Sequence, residues 1–238
     1  FNKLRSSPFC VVSQRGSPAR NYLSTLEAVR NKKRELMFRY RSANSSEERD
    51  TIVRESISYI NAIVYRVLFP MWVGIGWDFN GVPGRVPSLR RPVACGHIVE
   101  KILSDSGFRI GRNRGYRLAY LAPREFVRSV KGDEPDHFRD WPGLKRYLTE
   151  KGRGLYIIGI WGGYVGHILM GYYDSSGKLW LLHSGIHPGG ASVNIDDGEY
   201  YLRDFMYWDD LWITKIDAGL ARKWLESEQI IPVISSNR

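Results

Sequence analysis

Between Gly154 and His183 the sequence falls into three short runs, at 154–160, 166–173 and 178–183. Each is rich in β-branched and aromatic residues, and the breaks are Gly162-Gly163 and Asp174-Ser-Ser-Gly177. Runs of this length bounded by turn residues read as strands, and the Asp-to-Gly break reads as a hairpin turn between two antiparallel strands. Shorter runs at 193–195 and 211–216 add candidate strands. Everything before Gly154 has a different period. A chain that places its helices first and a strand meander after them folds as an α+β domain.

The helical part begins at 17–42, where Ser17 can cap and Pro18 suits a first turn, and Leu23, Leu26, Val29, Leu36 and Phe38 form an apolar stripe. Ser45 with Glu48 makes a capping-box pattern for a second helix to about Leu68, and Ile52, Val53, Ile57, Ile60, Ile63, Val64 and Val67 recur at helical spacing. Pro70 stops it, and the short connection predicts an antiparallel hairpin. Residues 71–92 alternate Gly, Pro and aromatics and read as a structured loop. A third helix is expected over 94–106, ended by Gly107. Two more are expected at 116–130 and 138–150, and a terminal one at 218–228. The chain thus divides into an N-terminal helical extension, 1–70, and a main domain, 71–238.

With 43% hydrophobic residues, eight Trp, fourteen Tyr and nine Phe, the 238-residue chain can fill a large core, which excludes a disordered polypeptide. The longest apolar stretch, 57–69, is interrupted by Asn61 and Arg66, so no bilayer span is expected. The start at Phe1 suits a processed or truncated N-terminus. The sequence leaves the compartment unknown, with a periplasmic or secreted location favoured. Two cysteines, Cys10 and Cys95, cannot make a disulfide framework. Cys10 reads as an incidental thiol, the rival being a Cys10–Cys95 bridge in an exported protein.

The net charge of +10 is concentrated in Arg20–Arg41, in Arg85, Arg90 and Arg91, and in Arg109, Arg112, Arg114 and Arg117. It favours a polyanionic partner such as a cell-wall polymer, an anionic membrane surface or nucleic acid; a merely solvated basic surface is the alternative. The absence of aromatic interleaving argues against nucleic acid.

The chemistry centres on Cys95 in Val-Ala-Cys-Gly-His-Ile, at a predicted helix start. A helix N-terminus lowers a thiol pKa and offers free N–H groups to an oxyanion, and Gly96 permits close backbone approach. His167 opens an apolar strand and His183 closes the next one. A hairpin centred on residue 175 places the two imidazoles opposite each other, so that His183 can orient His167 as the third member of a triad does. Trp77 and Asp78, in Gly-Trp-Asp-Phe-Asn-Gly, are candidate substrate-binding residues, or order their own loop.

Cys-Gly at a helix start, the Gly-Leu-Tyr-Ile-Ile strand, Val-Gly-His-Ile-Leu and then Leu-Leu-His after a hairpin together resemble the NlpC-type papain-like cysteine peptidases. The resemblance covers about 72–185. It implies helices packed on a central antiparallel sheet, with Cys95 as nucleophile, His167 as base and His183 as orienting residue. It also implies cleavage of a peptide or amide bond, with bacterial peptidoglycan as the substrate, without metal or cofactor. Ala94 and Gly96 stand where that family usually carries Asp and Ser, and 109–150 is an insertion. The competing readings are a non-catalytic binding module on the same fold, a basic nucleic-acid- or wall-binding protein, and a metal site of His183, His187 and Cys95. His97 reads as structural or surface. Asp196, Asp197 and Glu199 read as a solvated acidic turn.

Overall fold

The computed structural model describes residues 18–163, 165–187 and 190–234; Cys10 and Ser17 lie outside them. Helices α1 (Pro18–Ser42) and α2 (Ser46–Ile63) form the expected hairpin. The Ser45 hydroxyl accepts from Glu48 N–H at 3.1 Å, and the Glu48 carboxylate accepts from Asn44 N–H at 3.0 Å, which closes the entry to α2. The α-helical bonding ends at Ile63, and one wider turn, Val64–Leu68, carries the chain to Pro70. The hairpin shares a core with the rest of the chain: Trp72 Nε1 donates to the Tyr22 hydroxyl at 2.8 Å, and that hydroxyl donates to Asp105 at the end of α3 (Cys95–Asp105).

Among the described residues there are seven α-helices, and a six-stranded sheet that is antiparallel throughout. Its order is β2 (Asp136–Phe138), β7 (Asp210–Lys215), β3 (Gly154–Gly162), β4 (Val165–Tyr173), β5 (Leu179–His187), β6 (Gly190–Asp197). A second, two-stranded parallel sheet joins β1 (Arg109–Ile110) to β8 (Gln229–Ile230). Alternation along the strands separates two faces. Ile168, Met170, Leu182 and Val193 face the larger core, shared with α1, α2, α3, α4 (Pro123–Lys131) and α7 (Ala218–Glu226). Leu169, Leu179, Leu181 and Ile158 face a smaller core, closed by Leu144 and Leu148 of α5 (Trp141–Lys151) and by Tyr201 and Leu202, which follow the short α6 (Gly198–Tyr200).

The structure corrects two sequence expectations. The helix expected over 116–130 is a single 3₁₀ turn, Leu118–Tyr120, followed by α4. Pro123 disfavours helical geometry at the residue before it, so Ala122 is extended (φ −61°, ψ 157°) and Pro123 takes the first helical turn. The second correction is that β5 continues past His183 to His187, beyond the end of the expected run at 178–183.

Candidate active site

Three tethers fix the residues before Cys95. Val93 N–H bonds the Gly76 carbonyl and Ala94 N–H the Gly81 carbonyl, both at 2.9 Å. The buried Ser184 hydroxyl donates to the Val93 carbonyl at 2.6 Å. Ala94 is extended and brings no side-chain cap to α3, so the first N–H groups of the helix remain free of one. The close approach that Gly96 permits is by the Ala119 carbonyl, which would lie 2.6 Å from a Cβ at that position.

Burial raises the Cys95 thiol pKa. The backbone N–H groups of Ile168, Gly96 and Cys95 itself act the other way. The residue is half-buried, and this desolvation works against the lowering expected of a helix start. The contact with Ile168 N–H places the sulfur one residue along the backbone from His167. No hydrogen bond joins Cys95 to His167 among the described residues.

The two imidazoles come together. His167 Nε2 and His183 Nδ1 are 3.1 Å apart, with ring planes at 85°. The register differs from expectation: Met170 pairs with Leu182 and Tyr173 with Leu179, which centres the hairpin on residue 176. Extended past its last pair, that register puts Gly185 across from His167. The offset is two residues, so parity is kept and both rings stay on one face. A Cβ at Gly185 would lie 2.9 Å from His167 Cε1; the missing side chain is what leaves room for the ring.

Behind His183 stands a residue that sequence reasoning assigned to a solvated turn. His183 Nε2 is 2.9 Å from Asp196 Oδ2. Asn194 Nδ2 donates to the other carboxylate oxygen, Oδ1, at 2.8 Å, and is 3.3 Å from His187 Nδ1. His187 Nε2 is 2.9 Å from the Ser192 hydroxyl. The Tyr201 ring covers His183 at 4.6 Å between centroids. The pairing of β5 with β6 is what brings Asp196 in: it sets His183 opposite Asn194, and Asp196 is the next residue on that face.

These contacts dictate tautomers. A carboxylate only accepts, so the His183 N–H is on Nε2. Nδ1 of a neutral His183 is then an acceptor, and His167 must donate to it from Nε2. That leaves the His167 Nδ1 lone pair as its basic site. Burial, then the neighbouring His183, hold the His167 pKa well below the usual imidazole range. The resting pair is thus a neutral imidazole and a protonated thiol.

Trp77 and Asp78 stand at the edge of this region. Trp77 N–H bonds the Ala191 carbonyl of β6 at 3.2 Å and its side chain is half-buried. Asp78 is exposed and its carboxylate accepts from Asn80 N–H at 2.8 Å, ordering its own turn. His97 is buried against Tyr120, its Nε2 without a partner. An open cleft of about 330 Å³ between Trp141, Lys145, Lys178 and Arg203 is lined by none of Cys95, His167 or His183. Its charges are paired internally, Lys145 with Glu199, Lys178 with Asp197 and Arg203 with Asp204. Among the described residues no group of three or more His, Cys, Asp or Glu side chains is placed to hold a metal ion, and no helix is long and apolar enough to cross a membrane.

No protein-family model, curated protein or solved structure matches the chain.

Proposed function

We propose that the chain is a papain-like cysteine hydrolase that cleaves a peptide or amide bond, with Cys95 as nucleophile and His167 as base. The observation that carries this reading is the relay Asp196–His183–His167, whose last member directly precedes Ile168, the residue whose N–H meets the Cys95 thiol at a helix start. Because thiol and imidazole rest uncharged, sulfur attack and proton transfer are coupled. The S–H proton passes to His167 Nδ1 as sulfur bonds the carbonyl carbon. The oxyanion takes N–H groups of the first turn of α3, those of Cys95 and Gly96 lying by the sulfur. Collapse breaks the C–N bond, and the amine leaves with the proton from His167. Water then attacks the thioester, His167 accepts its proton, and the acid is released with the thiol restored. His183 and Asp196 hold the tautomer throughout and spread the charge of the transient imidazolium.

Peptidoglycan peptide is the substrate class that the family resemblance implies, and a net charge of +10 suits an anionic wall. The test is digestion of purified peptidoglycan by wild type and Cys95→Ala, with fragments identified by mass. New fragments from wild type alone support the reading; identical fragment sets reject it.

A second reading, a non-catalytic module on the same fold, is favoured by one observation: Cys95 and His167 make no hydrogen bond. Catalytic contacts often tighten only with substrate bound. Substrate-dependent acylation of Cys95, read by intact mass, separates the two readings.

A further inference from the structure

We propose that the loop 78–92 is an interfacial anchor that seats this end of the molecule on an anionic lipid bilayer. The loop is closed at its base by the bonds from Val93 N–H to Gly76 and from Ala94 N–H to Gly81, each 2.9 Å. It is therefore a surface loop with fixed ends, its middle held down by Val86, which packs on the larger core. On it, Phe79 is 74% exposed, Leu89 80% and Val82 46%. Arg85, Arg90 and Arg91 are interleaved with them, all exposed and without an ion pair among the described residues. The only acidic residue of the segment is Asp78.

Single exposed apolar residues are ordinary, but here three share one short loop with three unneutralised guanidinium groups. Anionic headgroups answer the arginines, and the acyl boundary takes the apolar tips. A nucleic acid would answer the charges and could stack a base on Phe79, but it would leave Val82 and Leu89, which have no ring, unmatched. The surface continues onto the sheet: Ile186, 61% exposed, pairs with Ala191, whose carbonyl holds Trp77 N–H. Since the loop ends at the residues directly before Cys95, docking it would bring the candidate site to the headgroup layer.

The proposal is independent of turnover and is tested by binding. The full chain is sedimented with vesicles of phosphatidylcholine alone and of phosphatidylcholine mixed with phosphatidylserine. Wild type and Cys95→Ala are expected to pellet equally with the mixed vesicles and weakly with the neutral ones. Replacing Arg85, Arg90 and Arg91 by Gln should lower partitioning on the order of 100-fold, at roughly fivefold per arginine. Phe79→Ser with Leu89→Ser should lower it at least about tenfold while leaving the circular dichroism spectrum unchanged. The proposal is overturned if wild type fails to pellet with the mixed vesicles. It is equally overturned if the Phe79→Ser, Leu89→Ser protein binds as wild type does, or if single-stranded RNA is bound and lipid is not. Loss of binding says nothing against the hydrolase, and loss of hydrolysis in Cys95→Ala says nothing against the anchor.

Discussion

Asp196 Oδ2 lies 2.9 Å from His183 Nε2, and this one contact fixes which nitrogen of a different residue, His167, is basic. Asp196→Asn keeps the shape but lets an amide donate to His183 Nε2. His183 then carries its proton on Nδ1, and His167 must present its Nε2 lone pair to His183 and carry its N–H on Nδ1. The turnover number on a peptide-amide substrate is expected to fall roughly 10²–10⁴-fold with little change in KM, the size of effect a wrong tautomer produces. Steady-state kinetics checks this. An unchanged turnover number would mean that the relay has no catalytic role.

The protonation states of the pair set how stability varies with pH. The folded His167 pKa is depressed, so below about 6.5 the unfolded chain binds a proton that the native chain refuses, and stability is lost as pH falls through that window. The folded Cys95 pKa is raised, so above about 8.5 the unfolded chain releases a proton that the native chain retains, and stability is lost as pH rises. His167→Gln should flatten the acid limb of a plot of Tm against pH, and Cys95→Ala the alkaline limb. Burial also lowers the pKa of His97 and His187, so the acid limb is reduced and not abolished. Limbs unaltered by both substitutions would contradict the desolvation of the two groups.

The same states govern reactivity. A thiol held up by burial exposes little thiolate at neutral pH. Alkylation of Cys95 by iodoacetamide without substrate is expected to be slow near pH 7 and to climb above the range of a free thiol near about 8.5. Stopped-time mass analysis gives the profile. A rate that is already maximal at pH 6 would indicate a preformed ion pair with His167 and replace the coupled proton transfer proposed above.

Much of this arrangement was legible in the sequence because it rests on local rules. Ser45 and Glu48 close the start of α2 as their spacing predicts, and the runs 154–160 and 166–173 lie within β3 and β4. The parity argument for His167 and His183 survived a register error because that error was an even number of residues. What was not legible depends on distant neighbours. Gly185, past the end of the expected run at 178–183, lies within β5 and makes space for a ring on β4. Asp196 looked like a solvated turn residue because its partner is set by the pairing of β5 with β6. The pairing of Arg109–Ile110 with Gln229–Ile230 joins two-residue strands far apart in the chain, too short to carry a periodic signal. Pro123 was the one local signal left unused.

Gly185 offers a test that involves no chemical group. Its φ is not in the left-handed region, so alanine meets no backbone penalty and the whole effect is steric. The added methyl, 2.9 Å from His167 Cε1, must push the ring away from His183. Gly185→Ala is expected to cost about 1–3 kcal/mol in chemical denaturation, the usual range for an overpacked site, and to reduce turnover more than Asp196→Asn does. Wild-type activity in a stable Gly185→Ala protein would show that the ring position is not limiting.

Ser184 tests the tether on the nucleophile segment. Its buried hydroxyl is 2.6 Å from the Val93 carbonyl, two residues before Cys95. Ser184→Ala removes the donor and leaves that carbonyl short of a partner, with an expected loss of about 1–3 kcal/mol. The side chain faces the larger core, away from the two histidines, so the relay itself is untouched. The catalytic consequence must therefore come through the placement of the sulfur. The rate of Cys95 acylation should fall, while the apparent pKa of the acid limb of the pH–rate profile, set by His167, stays where it is. A shift of that limb would mean that Ser184 acts on the imidazoles and that the thiol is positioned by the helix alone.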